Sequence, residues 1–172
     1  MTKLTYEEAR PLIQDGDIVF IHGSWRKPIQ ALIMWVTGST FSHVCLAFKV
    51  QTGGVERLMC VEAQGMTKRR ILNLSFYDNR YVTVLAAPRD WSEIQDSALE
   101  KVGKAKYSML TTVYVGVREL LHRLIDVKLP SLDLPHEICS EFIAKVVGLK
   151  DTDVSPQALY EDLLSYTVAR KK

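Results

Sequence analysis

The chain has 172 residues, with 22 Lys and Arg against 20 Asp and Glu, a formal net charge of +2. Hydrophobic residues make up 47% and charged residues 24%, the composition of an ordinary globular domain and not of a disordered segment. So small a net charge gives no reason to expect a nucleic-acid partner. No apolar run reaches the roughly 20 residues of a membrane span, Ile29–Val36 being among the longest. No secretory leader is visible in the mixed, polar stretch Met1–Asp17. With three scattered cysteines, Cys45, Cys60 and Cys139, a disulfide framework is not expected. The expected compartment is a reducing cytoplasm; release by lysis, as from a phage, is equally compatible.

In chain order, Thr5-Tyr6-Glu7-Glu8 has capping-box spacing and predicts a short helix, broken by Asp15-Gly16-Asp17. Ile18–Ile21 reads as a buried strand. Pro28 suits the first turn of a helix to about Val36, with Thr37-Gly38 as its stop. Phe41–Val50 and Val55–Ala63 are two β-like runs joined by Gln51-Thr52-Gly53-Gly54, a hairpin signal. Lys68, Arg69 and Arg70 read as a solvated basic loop, and Tyr81–Ala86 as a further strand.

Asp90-Trp91-Ser92-Glu93 repeats the capping-box spacing and opens a helix. Leu110, Val113, Tyr114, Val117, Leu120, Leu121 and Leu124 follow three-four spacing, an amphipathic helix. It is also the segment suited to face a membrane, a contact the composition otherwise does not suggest. Cys139–Val147 fits a helix stopped by Gly148, and Ser155-Pro156 opens a last one. There is no repeat and no long linker. Strands grouped ahead of helices predict a single α+β domain.

The hairpin carries the first chemical signal. With an even loop, Thr52-Gly53 for example, His43 stands directly opposite Glu62 and shares its face with Phe41 and Cys45. A carboxylate there can fix the imidazole tautomer and support its positive charge. The bland alternative is a cross-strand polar pair. The same register sets Cys45 opposite Cys60, so a structural zinc site is a competing reading, weakened by the lack of C-x-x-C spacing.

Cys139 is the second signal. It sits where the helical pattern begins, in Ile138-Cys139-Ser140-Glu141-Phe142. Unpaired backbone N–H groups and the helix dipole favour a thiolate at such a place and can hold an oxyanion. A free cysteine is also commonly a small core residue. Cysteine, histidine and carboxylate together are the nucleophile, base and orienter of covalent catalysis, with no cofactor or metal required.

Of the other candidates, Asp17 suits a turn at the strand entry, and His22 a satisfied surface or rim position. His136, three residues before Cys139, is a rival base, and His122 falls on the amphipathic helix. Trp25 and Trp35 flank the first long helix and are expected in the core.

The ordered segments Gly16-Asp17-Ile18-Val19-Phe20, Thr37-Gly38-Ser39-Thr40-Phe41-Ser42-His43-Val44, Val61-Glu62-Ala63 and Ile138-Cys139-Ser140-Glu141-Phe142 resemble a known family. It is the circularly permuted, YiiX-like branch of the NlpC-like cysteine peptidases, within the papain-like superfamily. The resemblance runs from about Asp15 to about Leu164. It implies a papain-like fold with Cys139 as nucleophile, His43 as base and Glu62 as third member. It also implies cell-wall or other peptide substrates. Tyr107, in Val102-Gly103-Lys104-Ala105-Lys106-Tyr107, matches the family's Gly-x-x-Tyr segment, although Lys106 stands where proline is common. Tyr107 and Ser140 are then expected at the oxyanion region or substrate cleft. The Cys139 segment is also similar to the lecithin retinol acyltransferase group, which implies acyl transfer or lipid hydrolysis as the alternative. A relative that only binds peptides is the third reading.

Overall fold

The computed structural model describes residues 2–27, 30, 31, 34, 35, 38–63, 69–100, 102, 103, 139–152 and 154–170. The expected helix Leu110–Leu124, together with Tyr107, His122 and His136, lies outside these residues. The described elements are β1 (Leu4–Thr5), α1 (Tyr6–Ala9) running into a 3-10 turn (Arg10–Leu12), and β2 (Ile18–His22). Next come β3 (Phe41–Thr52), β4 (Val55–Ala63), β5 (Arg69–Asn73), a second 3-10 turn (Leu74–Tyr77) and β6 (Tyr81–Leu85). The helices α2 (Trp91–Leu99), α3 (Cys139–Val147) and α4 (Pro156–Arg170) follow. Six strands form one antiparallel sheet in the order β1-β6-β2-β3-β4-β5. The α+β class read from the chain order is the class observed.

Local chemistry accounts for most boundaries. The Thr5 hydroxyl accepts from Glu8 N, and the Glu8 carboxylate accepts from Thr5 N at 2.8 Å, completing the capping box that starts α1. Gly148, at φ 76°, supplies the left-handed residue that ends α3. Ser155 Oγ accepts from Ala158 N at 3.2 Å and caps α4. The second expected capping box does not form: Asp90 caps α2 without a side-chain hydrogen bond, and Glu93 instead accepts from Arg89 Nε at 3.1 Å. In the segment before β3, Gln30, Ala31, Met34 and Trp35 are helical.

The two sheet faces are covered differently. On one, Ile18, Phe20, Val44, Leu46 and Val61 meet Ile94 and Ala98 of α2, Phe142 and Ile143 of α3, and Leu159 and Leu163 of α4. On the other, Val19, Ile21, Cys45, Ala47 and Cys60 meet Tyr6, Ala9 and Ile13 near the N-terminus and Leu74 and Tyr77 of the second 3-10 turn. At roughly 25 cal/mol per Å² of apolar surface removed from water, these contacts supply most of the stabilisation.

A bulge links fold to site. β2 pairs with β3 in steady register up to Ile21↔His43, but His22 then pairs with Phe41, so Ser42 is the extra residue. The bulge turns Phe41 into the helix-covered core, where its ring lies 4.9 Å from Phe20 and 5.2 Å from Tyr160. Simple alternation would have kept Phe41 on the face of His43 and Cys45. The expectation fails because an inserted residue reverses the facing of everything beyond it.

Two further expectations are corrected. Trp25 and Trp35 are 69% and 56% exposed, not core residues. Arg69 and Arg70 are not a solvated loop but open β5, where Arg69 is buried with its guanidinium 4.3 Å from the Phe142 ring centroid. Its Nη1 also donates to Ser97 O at 3.1 Å, so a satisfied cation packs into the core.

Candidate active site

The β3–β4 hairpin turns through Gly53-Gly54, flanked by the pair Thr52↔Val55. Both glycines have positive φ, 59° and 77°, as a type I′ turn requires. The loop is even, as expected, but begins one residue later than Thr52-Gly53, which shifts the register by two. Leu46 pairs with Val61 and Ala47 with Cys60. Continued by one step, this register sets Cys45 opposite Glu62 and His43 one diagonal further on. His43 and Glu62 therefore share a face as diagonal neighbours, not as direct partners. Cys45 and Cys60 are likewise not opposed. Among the described residues, no group of three or more His, Cys, Asp or Glu is arranged to hold a metal ion.

The diagonal is short enough for chemistry. His43 Nε2 lies 2.8 Å from Glu62 Oε2. Glu62 is fully buried and carries a dense set of donors. Tyr77 donates its hydroxyl to the same Oε2 at 2.5 Å, and Arg70 Nε donates to Oε1 at 2.8 Å. Arg70 Nη2 is also 2.8 Å from Oε1, an ion contact whose angle makes no hydrogen bond. Burial by itself would raise the Glu62 pKa. His43, the Tyr77 hydroxyl and the Arg70 guanidinium outweigh it and hold the carboxyl at about 2. Glu62 is thus an ionised, immobile acceptor.

With Nε2 held by Glu62, His43 presents Nδ1 as its other nitrogen. Cys139, the first residue of α3, acts on the ring both as a charge and as a hydrogen-bond partner. Burial would depress the imidazole pKa; Cys139 and then Glu62 overcome that, and the pKa is pushed up to about 10. The Cys139 side chain is partly exposed, whereas Cys45 and Cys60 are buried. A hydrogen bond that the Cys45 thiol donates to Cys60, with burial, pushes its pKa well above the ordinary range. Among the three cysteines, Cys139 alone combines solvent access, a helix start and an imidazole.

The remaining candidates take structural places. The Ser140 hydroxyl is buried and donates to Val154 O at 2.5 Å, tying α3 to the segment before α4. With its hydroxyl committed to that bond, what Ser140 can offer an oxyanion is its backbone N–H, in the first turn of α3. Asp17 Oδ2 accepts from Gln14 N at 2.8 Å and closes the turn into β2, as expected. His22 is buried at 6% exposure, not on the surface, with Nε2 2.9 Å from the Thr83 hydroxyl. Desolvation, with the Lys3 charge adding to it, lowers its pKa to about 4.

Arg70 and Tyr77 are site residues that sequence reasoning missed. Arg70 reads as loop in the sequence because Arg69–Asn73 is too short to show a strand period. For Tyr77 a local signal exists: Asn73 Oδ1 accepts from Ser75 N at 3.0 Å, an Asx turn that starts the 3-10 segment. Nothing local, however, ties that turn to Glu62. No helix among the described residues is long and apolar enough to cross a membrane. No protein-family model matches the chain, and no curated protein matches it significantly.

Proposed function

We propose that this protein is a cysteine hydrolase that cleaves amide bonds through a thioester, with Cys139 as nucleophile, His43 as base and Glu62 as orienter. The observation that carries the reading is the His43 ring, fixed through Nε2 by a buried carboxylate, with Cys139 and Glu62 together holding its pKa up. Nδ1 of His43 takes the Cys139 proton, and the thiolate attacks the substrate carbonyl carbon. The oxyanion forms beside the unpaired N–H groups at the start of α3. As the C–N bond breaks, His43 returns the proton to the leaving amine. Water, deprotonated by His43, then attacks the thioester carbonyl and releases the acid and the thiol.

The motif resemblance supports a permuted papain-like arrangement and, as substrate class, the peptide cross-bridges and stems of a cell wall. An ester or thioester would pass through the same steps, so the choice of substrate is separate from the choice of chemistry. Cys139→Ala is expected to lower turnover of a cell-wall peptide by at least about 1,000-fold, with thermal unfolding unchanged within a few degrees. Full activity in that variant contradicts the reading. Turnover of acyl esters and phospholipids, but not of peptides, transfers the site to acyl chemistry.

A further inference from the structure

Arg70 has no part in the hydrolysis steps above, yet it makes an ion pair with their orienting carboxylate at 2.8 Å. Strand β5 pairs with β4 so that Arg70 stands directly opposite Glu62. The guanidinium carbon lies 5.6 Å from the centroid of the Phe76 ring, whose neighbour Tyr77 binds Glu62 as well. The two carboxylate oxygens are divided: Oε1 faces the cation, and Oε2 faces the imidazole and the neutral phenol. Among the described residues, the titratable groups around this point are His43 and Cys45 from β3, Cys60 from β4, Arg70 from β5, Tyr77 from the second 3-10 turn and Cys139 from α3.

Charge balance decides what such an arrangement favours. Consider first a Glu62 with no cation. An imidazolium beside a neutral thiol then leaves the cluster with net charge zero, whereas imidazolium with thiolate leaves it at minus one. In a desolvated site the first state is favoured, and the thiol keeps its proton. With Arg70 present the same two states carry plus one and zero. The balance tips to the thiolate. A carboxylate can thus orient the base without suppressing the nucleophile only if a second cation offsets it.

We infer that Arg70 is a charge-balancing positioning residue, which neutralises Glu62 so that the ion pair of His43 and Cys139 is the preferred protonation state. The inference rests on the cysteine-hydrolase reading. Arg70 acts through Glu62, to which its ion pair is made.

The test is the rate of Cys139 alkylation by iodoacetamide against pH, followed by peptide mass mapping in the intact chain. In Arg70→Met the midpoint of the acid limb is expected to rise by about one pH unit or more. Arg70→Lys, which keeps the charge, is expected to stay within a few tenths of a unit of wild type. In Glu62→Gln/Arg70→Met both charges are gone and the state balance is that of wild type, so the midpoint is expected to return. A purely structural role for Arg70 would lower the plateau rate and leave the double variant no better than the single one. Arg70→Met superimposing on wild type, or Arg70→Lys shifting as far as Arg70→Met, overturns the inference. Should Arg70→Met not fold, the double variant decides alone: a midpoint that stays raised by a unit overturns it. If wild-type Cys139 shows no advantage over Cys45 and Cys60, the hydrolase reading itself fails, which is a different result.

Discussion

His22 and His43 lie at the same end of adjoining strands, where Ile21 pairs with His43 and His22 with Phe41 across the bulge. Both rings are largely withdrawn from water, which on its own lowers the pKa of each. They nevertheless move in opposite directions. His22 meets a neutral hydroxyl, that of Thr83, and falls to about 4. His43 meets Glu62 and Cys139 and rises to about 10. Burial sets the stakes, and the charge of the partner sets the sign. One histidine is a neutral piece of the core. Its neighbour is held protonated by the groups beside it.

The largest effect expected from breaking this contrast is on stability. Glu62→Ala strips the partner from His43, Arg70 and Tyr77 at once and leaves buried positive charge unpaired. The cost expected is about 3–5 kcal/mol in denaturant unfolding, a loss typical of halved buried ion pairs. A loss below about 1 kcal/mol would show that the carboxylate is not held as described.

The next effect is on pH dependence, where the two histidine environments separate into two windows. His22 is depressed in the folded state, so between pH 6.5 and about 4 the unfolded chain binds the extra proton and stability falls on acidification. Glu62 is also depressed, from 4.5 to about 2. Its stabilisation is fully present above its unfolded value and is lost as the pH falls through about 2. Each window is worth at most about 3 kcal/mol. Unfolding measured from pH 7 to pH 2 is expected to show both steps, with His22→Gln flattening the upper and Glu62→Gln the lower. A single step unaffected by either substitution would contradict the assignment.

The smallest effect isolates the neutral site. Thr83→Val removes the hydroxyl beside His22 and is expected to cost about 1–2 kcal/mol, with Cys139 reactivity unchanged. A change in that reactivity would mean that the two histidines are coupled across the bulge.

The hairpin, the face shared by His43 and Glu62, and the helix beginning at Cys139 are all legible in the sequence. Alternation, an even glycine loop and an apolar period ended by Gly148 are local signals. The exact register was nearly so: a type I′ turn wants positive φ at both central residues, which favours Gly53-Gly54 over Thr52-Gly53. The bulge at Ser42 carried no such mark, because an extra residue in a strand alters pairing without altering composition. Arg70 and Tyr77 could not be found either. They reach Glu62 through the pairing of β4 with β5 and through the turn that follows, contacts between segments that no single stretch encodes. Trp25 and Trp35 were misjudged for a simpler reason, since a large apolar side chain is not obliged to be inside.

The central claim is that Cys139 is a thiolate sustained by the imidazolium of His43. It is tested most directly by the alkylation rate of each cysteine at pH 6, in wild type and in His43→Ala. The account predicts that Cys139 reacts at least about 10-fold faster than Cys45 and Cys60. Without His43 that rate should fall by about 100-fold, because an alkyl thiol with no cation beside it is almost wholly protonated at pH 6. Three cysteines that react slowly and alike, or a Cys139 indifferent to the loss of His43, would contradict it.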